Sequence, residues 1–155
     1  MEMTQVDLDH WLEALRSGKY PQGKERLHSF RNDDGVLSDH KFCCIGVLCE
    51  INKDKLRVDF TSAIGENRFM TRYDGQTGLM PTSLCDEYDI DDGLIFIPGK
   101  SLTETELKKL SAYSNGALLS ENQMYSPMSL NDVGGISFAR IADLLQQHVK
   151  IKEPA

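Results

Sequence analysis

Three of the four cysteines in this chain fall within seven positions, in the run Asp39-His40-Lys41-Phe42-Cys43-Cys44-Ile45-Gly46-Val47-Leu48-Cys49-Glu50. Such a cluster is half of a metal site, a nucleophile at a helix start, or a buried seam of small residues. Cys44, Val47, Leu48 and Ile51 follow the i, i+3, i+4, i+7 spacing of one helix face, and Ile45 and Cys49 fall on a neighbouring face. A helix that is apolar on most of its sides is buried. The small residues Cys44, Gly46 and Cys49 would let other elements approach it closely. The spacing therefore predicts a central core helix over 42–51, and the rest of the chain must be able to cover it.

The covering elements can be read at both ends. Leu8, Trp11, Leu12 and Leu15 form an amphipathic stripe, with Asp7 as the expected N-cap and Gly18 as the stop. Phe138, Ile141, Ala142 and Leu145 repeat the spacing, with Ser137 as cap and Gly134-Gly135 breaking the chain ahead of it. Thr103 and Glu106 have capping-box spacing, and Leu102 and Leu107 take the staple positions around them, which predicts a helix to about residue 110. A shorter helix is expected from Pro81 or Thr82 to Tyr88.

Strand signals are weaker. Segments 56–60 and 68–73 alternate in part, and Asp74-Gly75 and Thr77-Gly78 are turn punctuation after the second of them. A short apolar run at 93–97 ends at Pro98-Gly99, and 26–30 reads as a strand closed by Asp33-Asp34-Gly35. The expected architecture is a single α+β domain over residues 1–150, with a frayed tail at 151–155. Four to five helices surround the buried central helix, beside a small antiparallel sheet or hairpin. A chain of 155 residues is long enough to build such a core without metal or disulfide staples.

Charge narrows the partners. A net charge of -7 opposes binding to a nucleic-acid backbone, so no direct nucleic-acid contact is expected. The strongest basic group, Lys19, Lys24, Arg26 and Arg31, is broken up and is followed by Asp33 and Asp34. No apolar run approaches the roughly 20 residues that span a bilayer, and the first residues lack a signal core. A cytoplasmic protein with free thiols and no membrane partner is the expectation.

The pattern from Trp11 to Gly23, the run Phe42 to Glu50, Leu79-Met80-Pro81-Thr82-Ser83-Leu84, Leu130-Asn131-Asp132 and Ser137-Phe138-Ala139-Arg140-Ile141-Ala142-Asp143 occur in order along the chain. Together they resemble a group of small uncharacterised proteins of tailed bacteriophages and prophages. The resemblance implies a phage origin and expression inside a bacterial host cell, and it carries over no activity. Segment 111–128 departs from the compact members of that group and reads as an inserted loop. Within it, Met124-Tyr125-Ser126-Pro127-Met128 is a mobile loop or a contact surface.

Several constellations could carry chemistry. Zinc would draw on Cys43 or Cys44, Cys49, Cys85 and either His28 or His40, but a C-C-x4-C spacing with a lone Cys85 lacks the paired ligands of structural zinc. No metal and no cofactor is expected. Cys43 or Cys44, served by His40, is the weak candidate for a nucleophile at a helix start, with His28 or His148 as other partners in space. Core packing explains these thiols more simply. Asn131, Asp132, Gly134, Gly135 and Ser137 form a glycine-bearing turn ahead of a helix, where backbone amides can meet an anion. The simpler account is an Asx turn, glycines at positive φ and a serine cap. Tyr20, Gln22, Lys24 and Arg26 place an aromatic ring beside groups that hold phosphate, or else merely close the first helix. Arg68, Arg72 and Tyr73 offer a similar mix, and Asp33-Asp34 and Asp91-Asp92 read as turns rather than cation sites.

The resulting expectation is a non-catalytic phage accessory protein that binds a host protein or a small anionic ligand such as a nucleotide, and so counters a host defence. Two alternatives stay open: a small cysteine-dependent enzyme, and a virion or assembly component. Homo-oligomerisation is open as well.

Overall fold

The computed structural model describes residues 3–63, 65, 67–88, 95–111 and 123–151. The chain begins with α1 (Gln5–Arg16). A hairpin comes next, formed by β1 (His28–Asp33) and β2 (Val36–Phe42), and then α2 (Cys44–Ile51). A second strand pair, β3 (Val58–Ser62) and β4 (Arg68–Tyr73), leads to α3 (Thr82–Glu87). The remaining elements are β5 (Ile97–Pro98), α4 (Glu104–Ser111), β6 (Met124–Tyr125), α5 (Pro127–Asp132) and α6 (Phe138–His148). The four longer strands make an antiparallel sheet in the order β2-β1-β4-β3, and β5 pairs with β6. The architecture is α+β.

The central helix is where its spacing puts it. Cys44, Ile45, Gly46, Val47, Leu48 and Cys49 are all buried. It begins two residues later than the pattern suggests, because Phe42 still belongs to β2 and Cys43 is the N-cap, its sulfur accepting the Gly46 amide at 3.3 Å. α1 and α5 pack on α2, and α6 joins them by packing on both. The fully buried Trp11 donates its indole N–H to the Cys44 carbonyl at 3.0 Å, which ties α1 to the start of the core helix. Gly46 answers the close approach from the other side: a Cβ there would lie 1.6 Å from the Leu27 carbonyl oxygen.

Caps and turns account for the boundaries. Thr4, rather than Asp7, is the N-cap of α1. Asp7 supplies the other half of a capping box, with its carboxylate reaching back to Thr4 while its amide meets the Thr4 hydroxyl. Thr103 and Glu106 form the box expected ahead of α4. Asp34 and Gly35, at φ 52° and 90°, make the two-residue turn between β1 and β2. Segment 124–128 is split between β6 and the start of α5, a six-residue helix capped by Ser126 with Pro127 in its first turn. Asn131 and Asp132 therefore end a helix rather than stand in a free turn.

The sheet meets the helices at one end. Leu27, Phe42 and Tyr73 belong to the main core. Further along, Phe30 is buried by neighbours on the sheet itself: Phe69 and Phe60, each with ring centroids 5.9 Å away, and His40 at 5.7 Å. Phe60, on the edge strand β3, is exposed.

Candidate functional site

The two polar segments singled out from the sequence meet in space. The Gln22 carboxamide reaches the start of α6: its Nε2 donates to the Ile136 carbonyl at 2.7 Å and to Asn131 Oδ1 at 3.0 Å, and its Oε1 accepts the Phe138 amide at 3.1 Å. The buried Asn131 amide donates to the Gly23 carbonyl and to Asp132 Oδ1, and Asp132 in turn accepts the Glu25 amide. Ser137 caps α6 by accepting the Arg140 amide. Gly135, at φ +59°, turns the chain. At Gly134 a Cβ would press on the Leu130 carbonyl oxygen at 3.0 Å. The glycines thus permit a tight turn and close packing, and Gln22 stands where an anion would meet the Phe138 amide. The constellation is a latch between distant parts of the chain, with its polar groups satisfied by one another.

Next to the latch the surface is different. Gln22, Gly23, Lys24, Arg26, Ser29, Lys41 and Arg68 line a cleft of about 450 Å³. Its floor is built by an unusual approach of backbones. The Gly23 amide donates to the Phe42 carbonyl at 2.7 Å and the Phe42 amide donates to the Pro21 carbonyl at 2.8 Å, so residues 21–23 run along the end of β2. A Cβ at Gly23 would lie 2.7 Å from the Cβ of Lys41. Register then sets the walls: Ser29 pairs with Lys41 across β1 and β2, and Arg31 pairs with Arg68 across β1 and β4.

Four cationic side chains therefore converge. Lys24, Arg26 and Lys41 are exposed, and among the described residues none of them makes an ion pair. Arg68 is different. Its Nη1 lies 2.6 Å from Asp39 Oδ2, and its Nη2 lies 3.5 Å from the Ser29 hydroxyl. The Arg68 hydrogen bond is the main cause that holds the Asp39 carboxyl below its usual range, with Lys41 and Arg31 adding to it. A field of this sign inside a walled cleft attracts anions.

Tyr20 does not line the cleft. Its ring stands edge-on to Phe42, 5.2 Å between centroids, and packs against the core. Sequence reasoning reaches Gln22, Lys24 and Arg26, which are neighbours in the chain. It does not connect them with Ser29, Lys41 and Arg68, which only strand register brings alongside. Arg72 is held by Asp59 through two hydrogen bonds of 2.7 and 2.8 Å, and the buried Tyr73 donates its hydroxyl to Glu50.

The thiol cluster is closed to solvent. Cys43, Cys44, Cys49 and Cys85 are all buried thiols. Burial pushes the Cys43 thiol up to about 11 and the Cys44 and Cys49 thiols well above the ordinary range, so these three are protonated at neutral pH. His40 turns away from them to His28, with Nδ1 to Nε2 at 2.9 Å. His28 also meets the Thr71 hydroxyl at 2.7 Å, and His148 meets the Ser101 hydroxyl. Among the described residues no group of three or more His, Cys, Asp or Glu side chains is arranged to hold a metal ion. Asp33 pairs with Arg31, Asp34 sits in the hairpin turn, and Asp91-Asp92 lie outside the described residues. No helix among the described residues is long and apolar enough to cross a membrane.

The family model described as "Domain of unknown function (DUF8296)" matches residues 3–149, and the chain belongs to that family. No curated protein and no solved structure matches the chain.

Proposed function

We propose that this DUF8296 chain is a non-catalytic accessory protein that captures a small anionic ligand in the cleft between residues 22–26 and the β2-β1-β4 face. One observation carries the reading. Lys24, Arg26 and Lys41 gather with Arg68 around one cleft, in a chain whose net charge is -7. Bringing like charges together costs free energy, and an anionic ligand would offset that cost. The carboxylates of Glu25, Asp33 and Asp34 interrupt any longer basic track, which favours a compact anion over a polymer backbone. The buried, protonated thiols give no support to a cysteine-dependent enzyme.

The resemblance to phage and prophage proteins supports a setting inside a bacterial host. There, sequestering a host-made anion such as a nucleotide signal would blunt a defence. The test is calorimetric titration with mononucleotides and inorganic anions, beside the Lys41→Glu and Arg26→Glu variants. Binding that weakens with added salt and is lost in the folded variants is the expected result. Absence of binding to every anion at millimolar concentration would rule the reading out.

A second reading, capture of a host protein, is favoured by exposed apolar side chains on the two edge strands of the sheet. Phe60 and Val58 are exposed on β3, and Val36 and Leu37 on β2. Co-purification of a stoichiometric host partner that is lost on Phe60→Lys would support it, and a partner retained by that variant would not.

A further inference from the structure

Arg68 is the one cation of the cleft that already has an acidic partner among the described residues, and that partner sits in an unusual place. Asp39 does not line the cleft. It occupies the bulge of β2, where the register slips between Ser29 and Arg31, and it holds a left-handed backbone at φ 50°. From there its exposed carboxylate reaches Arg68 Nη1 at 2.6 Å. The Arg68 Nη2 is left pointing toward the Ser29 hydroxyl at 3.5 Å, the limit of a hydrogen bond. Half of the guanidinium fork is thus occupied by an internal anion, and the other half is poorly used.

Building on the anion-capture reading, the geometry points to a compact oligophosphate as the ligand, with Asp39 as an internal competitor that it displaces from Arg68. Charge supports this class. With Asp39 displaced, four cations face the ligand, more positive charge than one orthophosphate of about −1.5 to −2 matches. A chain of two or three phosphates matches it within one cleft. Once Asp39 withdraws, the Arg68 fork can take a terminal phosphate through two parallel N–H bonds, a geometry that a guanidinium favours. Ser29 can donate to the same group. Asp39 suits the competing role because it is tethered by a bulge and half-exposed, so it can move into water at little cost.

The experiment titrates the full chain with orthophosphate, pyrophosphate, tripolyphosphate and a single-stranded oligothymidylate. It is run on the native protein, on Asp39→Asn, and on Asp34→Asn as the control. The control is matched closely: Asp34 is also left-handed, at φ 52°, so both substitutions remove one charge and both place Asn where it is tolerated. Tripolyphosphate should bind at least about tenfold more tightly than orthophosphate, and Asp39→Asn should tighten tripolyphosphate by about five- to tenfold while Asp34→Asn stays within about twofold. Asp39→Gly, which also fits a left-handed backbone, serves as the second variant should Asn disturb the fold. Equal tightening in the control would reduce Asp39 to a general charge and overturn the competitor role. Orthophosphate or oligothymidylate matching tripolyphosphate would overturn the ligand class and leave anion capture standing. Absence of binding to all four would overturn anion capture itself.

Discussion

His28 Nε2 lies 2.9 Å from His40 Nδ1, with the two rings stacked at 5.1 Å between centroids. At that distance one ring nitrogen carries the shared N–H and the other accepts it. His28 also stacks on Phe42 at 4.1 Å, and its Nδ1 meets Thr71 on β4. Burial lowers the pKa of His28 to about 4. The charge of Glu50 on α2 opposes that shift, while His40 and Lys53 reinforce it.

His28 binds a proton near pH 6.5 when unfolded and only near pH 4 when folded, so the unfolded state takes up more protons between those values. Stability is full above about pH 6.5 and falls as the pH drops toward 4. Urea midpoints measured at pH 7.5, 6 and 5 should decline in the native protein. The decline should be shallower in His28→Phe, which keeps the stacking and removes the titrating ring. An unchanged slope in that variant would place the acid sensitivity elsewhere.

Gly46 leaves no room for a side chain. A Cβ would overlap the Leu27 carbonyl oxygen at 1.6 Å, and both partners are backbone, so neither can rotate away. Gly46→Ala should cost about 3 kcal/mol or more, at the upper end for overpacked cores. A thermal melt within a few degrees of the native protein would refute the close contact between α2 and the entry to β1.

Truncating Gln22 opens the latch. Gln22→Ala removes partners from the Phe138 amide, the Ile136 carbonyl and Asn131 at once. The expected loss is about 1–3 kcal/mol, the usual range when buried polar groups are left unpaired. Chemical denaturation reads it directly, and Gln22→Glu should not restore stability, because a carboxylate cannot donate to Ile136 or Asn131.

Thiol chemistry provides a fourth check. At pH 7.4 the native protein should show no alkylation of Cys43, Cys44 or Cys49 by iodoacetamide over an hour, and all three should react in denaturant. Rapid native labelling of Cys43, read by peptide mass spectrometry, would mean that the N-terminus of α2 opens to solvent.

The helices are legible in the sequence because helix signals are local. Stripes such as Leu8, Trp11, Leu12 and Leu15, and boxes such as Thr103 with Glu106, depend on neighbours within two turns. The cap expected for α1 falls on the wrong member of a real box, since Thr4 and Asp7 are both residues that cap. β2 is hidden because the left-handed Asp39 adds a residue and breaks the alternation of the strand, so its second half merges with the cysteine helix. α5 is hidden by its brevity and by Pro127, which reads as a loop signal until Ser126 is seen to cap it. The basic cleft is half visible. Lys24 and Arg26 are near neighbours in the chain, but Lys41 and Arg68 join them only through pairing registers that no local pattern encodes.

The partnership of the first and last long helices has a bearing on how the chain is made. α1 packs on α6, Arg16 reaches Asp143 at 2.8 Å, and Gln22 is tied to the carbonyl of Ile136. On a ribosome, which delivers the chain from its amino end, α1 would wait with this flank bare until residues 138–148 had emerged. The pairing of α1 with α6 therefore waits on synthesis of residues 138–148. Nascent chains stalled ahead of α6 should be the species that chaperones hold.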